Sequence, residues 1–134
     1  MTSLADHALR LQRDIHAALS ADTALQNSMG KDGQVRAYDE VPPEPTYPYL
    51  TYGRIESRDA SADETTRTTN AVTLHVWSRA TSRAEALELL RQVETAIANH
   101  LPHRSVPTLT DIFRAPDGRT RHGLLRLSII MEDE

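Results

Sequence analysis

The chain has 134 residues, a formal net charge of −4 and a pI near 5.8, with 39% hydrophobic and 25% charged residues. That length suits one folded domain over residues 1–134, and the composition is that of a globular chain, not a disordered one. The acidic balance argues against a protein that grips nucleic acid, and the absence of cysteine excludes disulfides and thiolate metal sites.

No stretch approaches the roughly eighteen apolar residues of a membrane span. The N-terminal run MTSLADHALRLQRD lacks the apolar centre of a signal peptide. The expectation is a chain folded in a reducing, cytoplasm-like compartment. Fourteen of the fifteen basic residues are arginine and only Lys31 is lysine. Arginine's planar fork suits interface ion pairs, and a compositional bias of the source genome is the plainer reading.

Residues 3–21 are predicted to form a helix with Leu4, Ala8, Leu11, Ile15 and Leu19 on one stripe, Ser3 as N-cap and Asp6 in the first turn. Asp22 then caps a short helix over 23–29 that Gly30 ends, and 31–33 is a turn. Val35 to Tyr38 reads as a short strand. The run from Asp39 to Pro48 is proline-rich, which forbids helix and central strand, so it reads as a stiff surface connector. A strand resumes over Tyr49 to Glu56.

Residues 57–69, SRDASADETTRTT, hold no large apolar side chain. Such a segment buries too little to offset its ordering entropy, so the expectation is a long mobile loop at the tip of a hairpin. Asp59, Asp63, Glu64 and Arg67 are its charged candidates for assembly contacts.

The stretch from Asn70 to Leu101 organises the rest. Val72, Leu74 and Val76 alternate with Ala71, Thr73, His75 and Trp77, the period of a strand. The period then lengthens: Leu87, Leu90, Val93 or Glu94, Ile97 and Leu101 form a helical stripe, opened by a Ser82–Glu85 capping box and stopped by Pro102. Burying Leu87, Leu90, Ile97 and Leu101 would contribute about 6–12 kcal/mol gross. Thr108 to Arg114 reads as a strand, Ala115-Pro116-Asp117-Gly118 as a turn, and Thr120 to Met131 as the closing strand with Leu125, Leu127, Ile129 and Met131 on one face. The order predicts an α+β fold: an antiparallel or mixed sheet with two main helices on one face.

Little here is reactive. His100 and His103 are the one close histidine pair, but Pro102 breaks the helix between them and no carboxylate lies nearby in sequence. Serine, histidine and aspartate occur without a nucleophile motif, and the five glycines form no phosphate loop. No catalytic, cofactor or metal site is expected. His75 reads as a surface or interface residue. Trp77 is either half-buried packing or an interface anchor. Arg79 lies just past the central strand, and Arg119 and Arg121 follow the turn at the end of the sheet, where a neighbour could be reached.

The run Leu74-His75-Val76-Trp77-Ser78-Arg79, the helix with Ala86-Leu87, and Asp117-Gly118-Arg119-Thr120-Arg121-His122-Gly123-Leu124-Leu125-Arg126 together resemble a known family. It is that of tail-completion, or tail-terminator, proteins of long-tailed bacteriophages and phage-derived gene transfer agents. Val-Arg-Ala-Tyr-Asp-Glu-Val-Pro (35–42) and Tyr-Pro-Tyr-Leu-Thr-Tyr-Gly (47–53) agree, so the resemblance covers nearly the whole chain. It implies a single tail-terminator-like domain that assembles as a homohexamer in the virion tail at the head–tail junction. That ring would cap the tail tube protein and present a docking face to a head-side stopper or connector protein, with DNA passing through its lumen unbound. It implies no catalysis and no membrane partner, and assembly in a host cytoplasm. Trp77, Arg79, Arg121 and His122 carry over as candidate interface positions.

Size agrees with such a ring. A compact domain of this length has a diameter of about 36 Å; six leave a hole of about 36 Å, and four leave about 15 Å. Two other readings stand beside it: a stopper or adaptor ring of the same particle, and a small oligomeric ligand-binding protein or isomerase-like enzyme, which needs a pocket with convergent polar groups.

Overall fold

The computed structural model describes residues 3–133. Helix α1 (Leu4–Ala21) opens on a capping box: Ser3 Oγ accepts from the Asp6 amide at 2.9 Å, and the Asp6 carboxylate accepts from the Ser3 amide at 3.2 Å. Two amides that lack an intrahelical acceptor are thereby satisfied. Leu11, Ile15 and Leu19 are buried as their spacing predicts. Leu4 is instead 44% exposed, and the inward place near the start of the helix is taken by His7. Asp22 closes α1 and caps α2 (Thr23–Met29), accepting from the Leu25 amide at 3.1 Å.

Asp32 and Gly33 both have positive φ, 54° and 79°, the conformation of a tight hairpin turn between β1 (Gly30–Lys31) and β2 (Gln34–Val35). The single strand expected over Val35–Tyr38 is split at Arg36. Its amide donates to the Met29 carbonyl and its carbonyl accepts from the Leu50 amide, each at 2.8 Å, so its two sides serve different elements. Beyond it, β3 (Ala37–Tyr38) runs parallel to β4 (Tyr49–Asp59). Residues 39–48 form neither helix nor strand.

The segment 57–69 departs from its expectation. β4 continues to Asp59 and β5 (Thr66–Ser78) begins at Thr66, leaving a six-residue tip, 60–65, closed by an Ala62–Thr65 bridge. Its polar side chains do not prevent pairing because the sheet satisfies them. Asn70 Nδ2 donates to the Ile129 carbonyl and to Thr68 Oγ1, each at 3.1 Å, and Ser57 Oγ donates to Asn70 Oδ1 at 2.6 Å.

Helix α3 (Ala84–His100) buries Ala86, Leu89, Leu90, Val93, Ala96 and Ile97; of the expected stripe Leu90, Val93, Ile97 and Leu101 face inward and only Leu87, 46% exposed, does not. At 100° per residue Leu87 lies a full step off the Ala86–Leu90–Val93–Ile97 line, and Leu89 takes the inward place. The expected capping box is also absent. Arg83 is the N-cap residue, without a side-chain cap bond, and the Glu85 carboxylate accepts from Ser78 Oγ instead.

β6 (Arg104–Arg114) starts four residues earlier than its spacing predicts, and β7 (Arg121–Asp133) closes the fold. Pro107 is tolerated in β6 because this strand is the edge of the sheet, with a register shift between Pro107 and Leu109. The turn between β6 and β7 is as read: the Gly118 amide donates to the Ala115 carbonyl at 3.0 Å with φ 74°. The five strands lie in the order β3-β4-β5-β7-β6, antiparallel except for β3 with β4.

One face of this sheet is sealed by α1 and α3. Leu74, Val76, Leu125, Leu127 and Ile129 point into that layer. Gly123 admits the close packing: a Cβ there would sit 2.7 Å from Val76 Cγ2 and 3.0 Å from Ile112 Cδ1. His100, in the last turn of α3, and His103, just after it, find carboxylates that are remote in sequence. His103 Nε2 lies 2.6 Å from Asp14 and His100 Nε2 lies 3.5 Å from Asp22. They pin the end of α3 to α1 and its cap.

Candidate interface on the open face of the sheet

Strand alternation puts the odd residues of β5 and the even residues of β7 on the face that no helix covers. Register then decides which of them meet. Tyr49 pairs with Trp77, Trp77 with His122, and His122 with Phe113, so one cross-strand row over four strands consists wholly of rings. Trp77 and His122 stack at 3.8 Å and 17°; Phe113 lies 4.5 Å from His122 and Tyr49 lies 6.3 Å from Trp77. The indole N–H of Trp77 donates to Thr51 Oγ1 at 2.9 Å and fixes the ring.

The row extends through Tyr47 and Tyr38, whose rings lie 5.0 Å and 6.0 Å from Tyr49, and Arg79 places its guanidinium 4.3 Å above Tyr47. Five of the chain's six Phe, Trp and Tyr residues are therefore in one strip. The sixth, Tyr52, is packed beneath α1 and hydrogen-bonded to His16 at 2.7 Å. Burial of the phenol lifts the pKa of Tyr49 to about 12.

His75 joins the strip from the next rung, its Nδ1 2.7 Å from His122 Nε2 and its ring lying over Gly53, where a Cβ would come within 2.5 Å of Nε2. Burial lowers both histidine pKa values, and His75 beside it helps to lower that of His122 to about 4. Both rings are neutral at pH 7. The sign follows from linkage: the unfolded histidines take up protons below about 6.5 and the folded pair does not, so their contribution is intact above that pH and is lost as pH falls towards 4. Urea midpoints measured from pH 7 down to 5 should decline, and His122→Phe should decline less. Equal slopes for the two proteins would show that the pair is not held neutral by folding.

Trp77, Arg79, Arg119, Arg121 and His122 lie at one end of the sheet, around the strip. Arg79 bonds Thr120 Oγ1 at 3.4 Å and stands 3.9 Å from Asp117. Hydrogen bonds from the Thr120 hydroxyl and from the Thr120 and Arg119 amides hold the pKa of Asp117 at about 2. Arg121 donates to the Thr81 carbonyl at 3.0 Å, while its Nε is buried without a hydrogen-bond partner. The loop candidates lie at the opposite end. There Asp59 is bonded to Ser61, Arg67 pairs with Glu132 at 2.8 Å, and Asp63 and Glu64 are exposed at the tip. Tyr47, Tyr49 and Phe113 were not singled out by sequence reasoning, because nothing local says that residues so far apart share a rung.

The sheet is thus sealed by helices on one face and carries an aromatic strip edged by arginines on the other. The chain belongs to the family of tail completion protein gp17, whose model matches residues 13–132, and is a tail-completion protein. Among solved structures it is similar to a chain in the virion of a native gene transfer agent particle, at 22% identity and TM-score 0.69, over 92% of this chain and 95% of that one. It is also similar to the gp17 protein of bacteriophage SPP1, at 20% identity and TM-score 0.57, over 93% and 91%. Both likenesses are of fold. No curated protein matches the chain. No helix among the described residues is long and apolar enough to cross a membrane.

Proposed function

We propose that six copies of this chain form a ring at the head–tail junction, capping the tail tube and offering the head-side stopper or connector a docking face. DNA passes through the lumen without specific contacts. The observation that carries this reading is the aromatic strip with its arginines. Trp77, Phe113 and His122 form a surface that no helix among the described residues covers, and tryptophan and arginine are the residues that anchor protein interfaces. Trp77, Arg79, Arg119, Arg121 and His122 act there as contacts, and the hairpin tip with Asp63 and Glu64 acquires its fixed partners on assembly.

The ligand-binding alternative fares less well at the groove of about 630 Å³ between α1 and residues 34–39. Five of its polar side chains are occupied with one another: His16 with Tyr52 and Gln34, and Gln12 with Asp39. Imaging of complete particles tests the reading. A six-fold ring of this chain in direct contact with the tail tube is the expected result. A ring separated from the tube would make it a stopper or adaptor, and a ring with another subunit number would overturn the hexamer.

A further inference from the structure

One end of the sheet is rich in arginine, whereas the hairpin tip at the other end exposes Asp63 and Glu64. Arg114 and Arg121 lie in the last rung, Ser78–Arg121–Arg114, and Arg79 and Arg119 lie just beyond it. Asp117 is held by Thr120 and the Arg119 amide and stands 3.9 Å from Arg79, and Glu85 is held by the Ser78 hydroxyl. Arg121 Nε is buried and unpartnered, and neither Arg114 nor Arg119 makes an ion pair among the described residues. The far end lies about 40 Å away by strand rise. There Glu132 is paired with Arg67 and Asp133 with Arg10, while Asp63 and Glu64 project on the tip without an ion pair among the described residues.

These two ends terminate the same strands, so they cannot meet within one chain. They can meet between copies. Resting on the ring reading, we infer that the Asp63–Glu64 tip of one subunit docks on Arg79 and Arg119, beside the Trp77–His122–Phe113 row, of the next. Carboxylate binds guanidinium bidentately, and the rings beside it exclude water and strengthen the pair. A two-fold dimer that joined the arginine ends would set arginine against arginine. A tip-to-end contact instead uses two different patches, so each copy gives one tip and receives one, and such contacts continue until a ring closes.

The test replaces the natural copy in particle-forming cells with two charge-reversed variants, Arg79→Glu/Arg119→Glu and Asp63→Arg/Glu64→Arg. Each alone sets like charges at every contact, so complete particles should fall at least about 100-fold. Expressed together, the two can alternate round the ring with opposite charges at every contact, and yield should return to within about tenfold of wild type. Normal yield from either variant alone, or no recovery on co-expression, overturns the docking and assigns these ends to other virion proteins. Thermal unfolding of each variant checks its fold. The milder pair Arg119→Glu and Glu64→Arg, both at exposed positions, repeats the test if a double variant is unstable. Six-fold symmetry in wild-type particles is read separately. Its absence sinks the ring, whereas its presence with failed complementation sinks only the docking.

Discussion

Trp77→Ala should abolish tail completion while leaving a folded, weakened subunit. The indole donates to Thr51, stacks on His122 at 3.8 Å and bridges Tyr49 to His75, so its loss also loosens the rings on either side. For a half-buried tryptophan the cost to the fold is about 2–3 kcal/mol, at or below the low end for full burial. That leaves a protein of ordinary stability folded. At an interface a tryptophan anchor is worth about 2 kcal/mol or more, and a ring repeats the loss at every contact. Particle yield and urea unfolding measured side by side separate the two effects. Trp77→Phe keeps a ring but not the N–H donor and should fall between alanine and wild type. If Trp77→Ala particles complete their tails normally, the strip is packing and not an interface.

His7→Ala should be the most destabilising single change near the chain's ends. His7 is fully buried, with Nδ1 2.7 Å from Thr68 Oγ1 and Nε2 2.7 Å from the Asp133 carboxylate, which Arg10 also engages at 3.2 Å. The imidazole thus ties α1 to β5 and β7 at once. Truncation opens a cavity and strips a buried hydroxyl and a carboxylate of their shared partner, costing about 3–5 kcal/mol. His7→Gln, which can restore one of the two bonds, should recover part of that. An unfolding free energy within about 1 kcal/mol of wild type for His7→Ala would refute this account of the network. The line Thr68–His7–Asp133 has the order of a hydrolytic triad, yet the hydroxyl is buried and accepts from Asn70 at 3.1 Å. Its geometry serves as a clasp.

The local elements of this protein were legible in its sequence. Ser3 and Asp6 form the capping box, Asp22 separates two helices, residues 115–118 turn, and the alternations over 72–76 and 125–131 place the sheet's inner face. Each depends on contacts within a few residues, where spacing and side-chain chemistry suffice. The family resemblance, spread over several elements, was legible too. What tertiary structure decided depends on partners remote in sequence. The hairpin reaches Asp59 and Thr66 because β5 is paired on both sides, and its inward polar groups find acceptors that composition cannot supply. Leu89 is chosen over Leu87 by where the sheet lies against α3. His100 and His103 meet carboxylates from α1 and its cap. Above all, the row Tyr49–Trp77–His122–Phe113 exists only through register: a one-residue slip in any strand would turn its ring to the other face, and pairing register is set by the packed core, not by the neighbours of each ring along the chain.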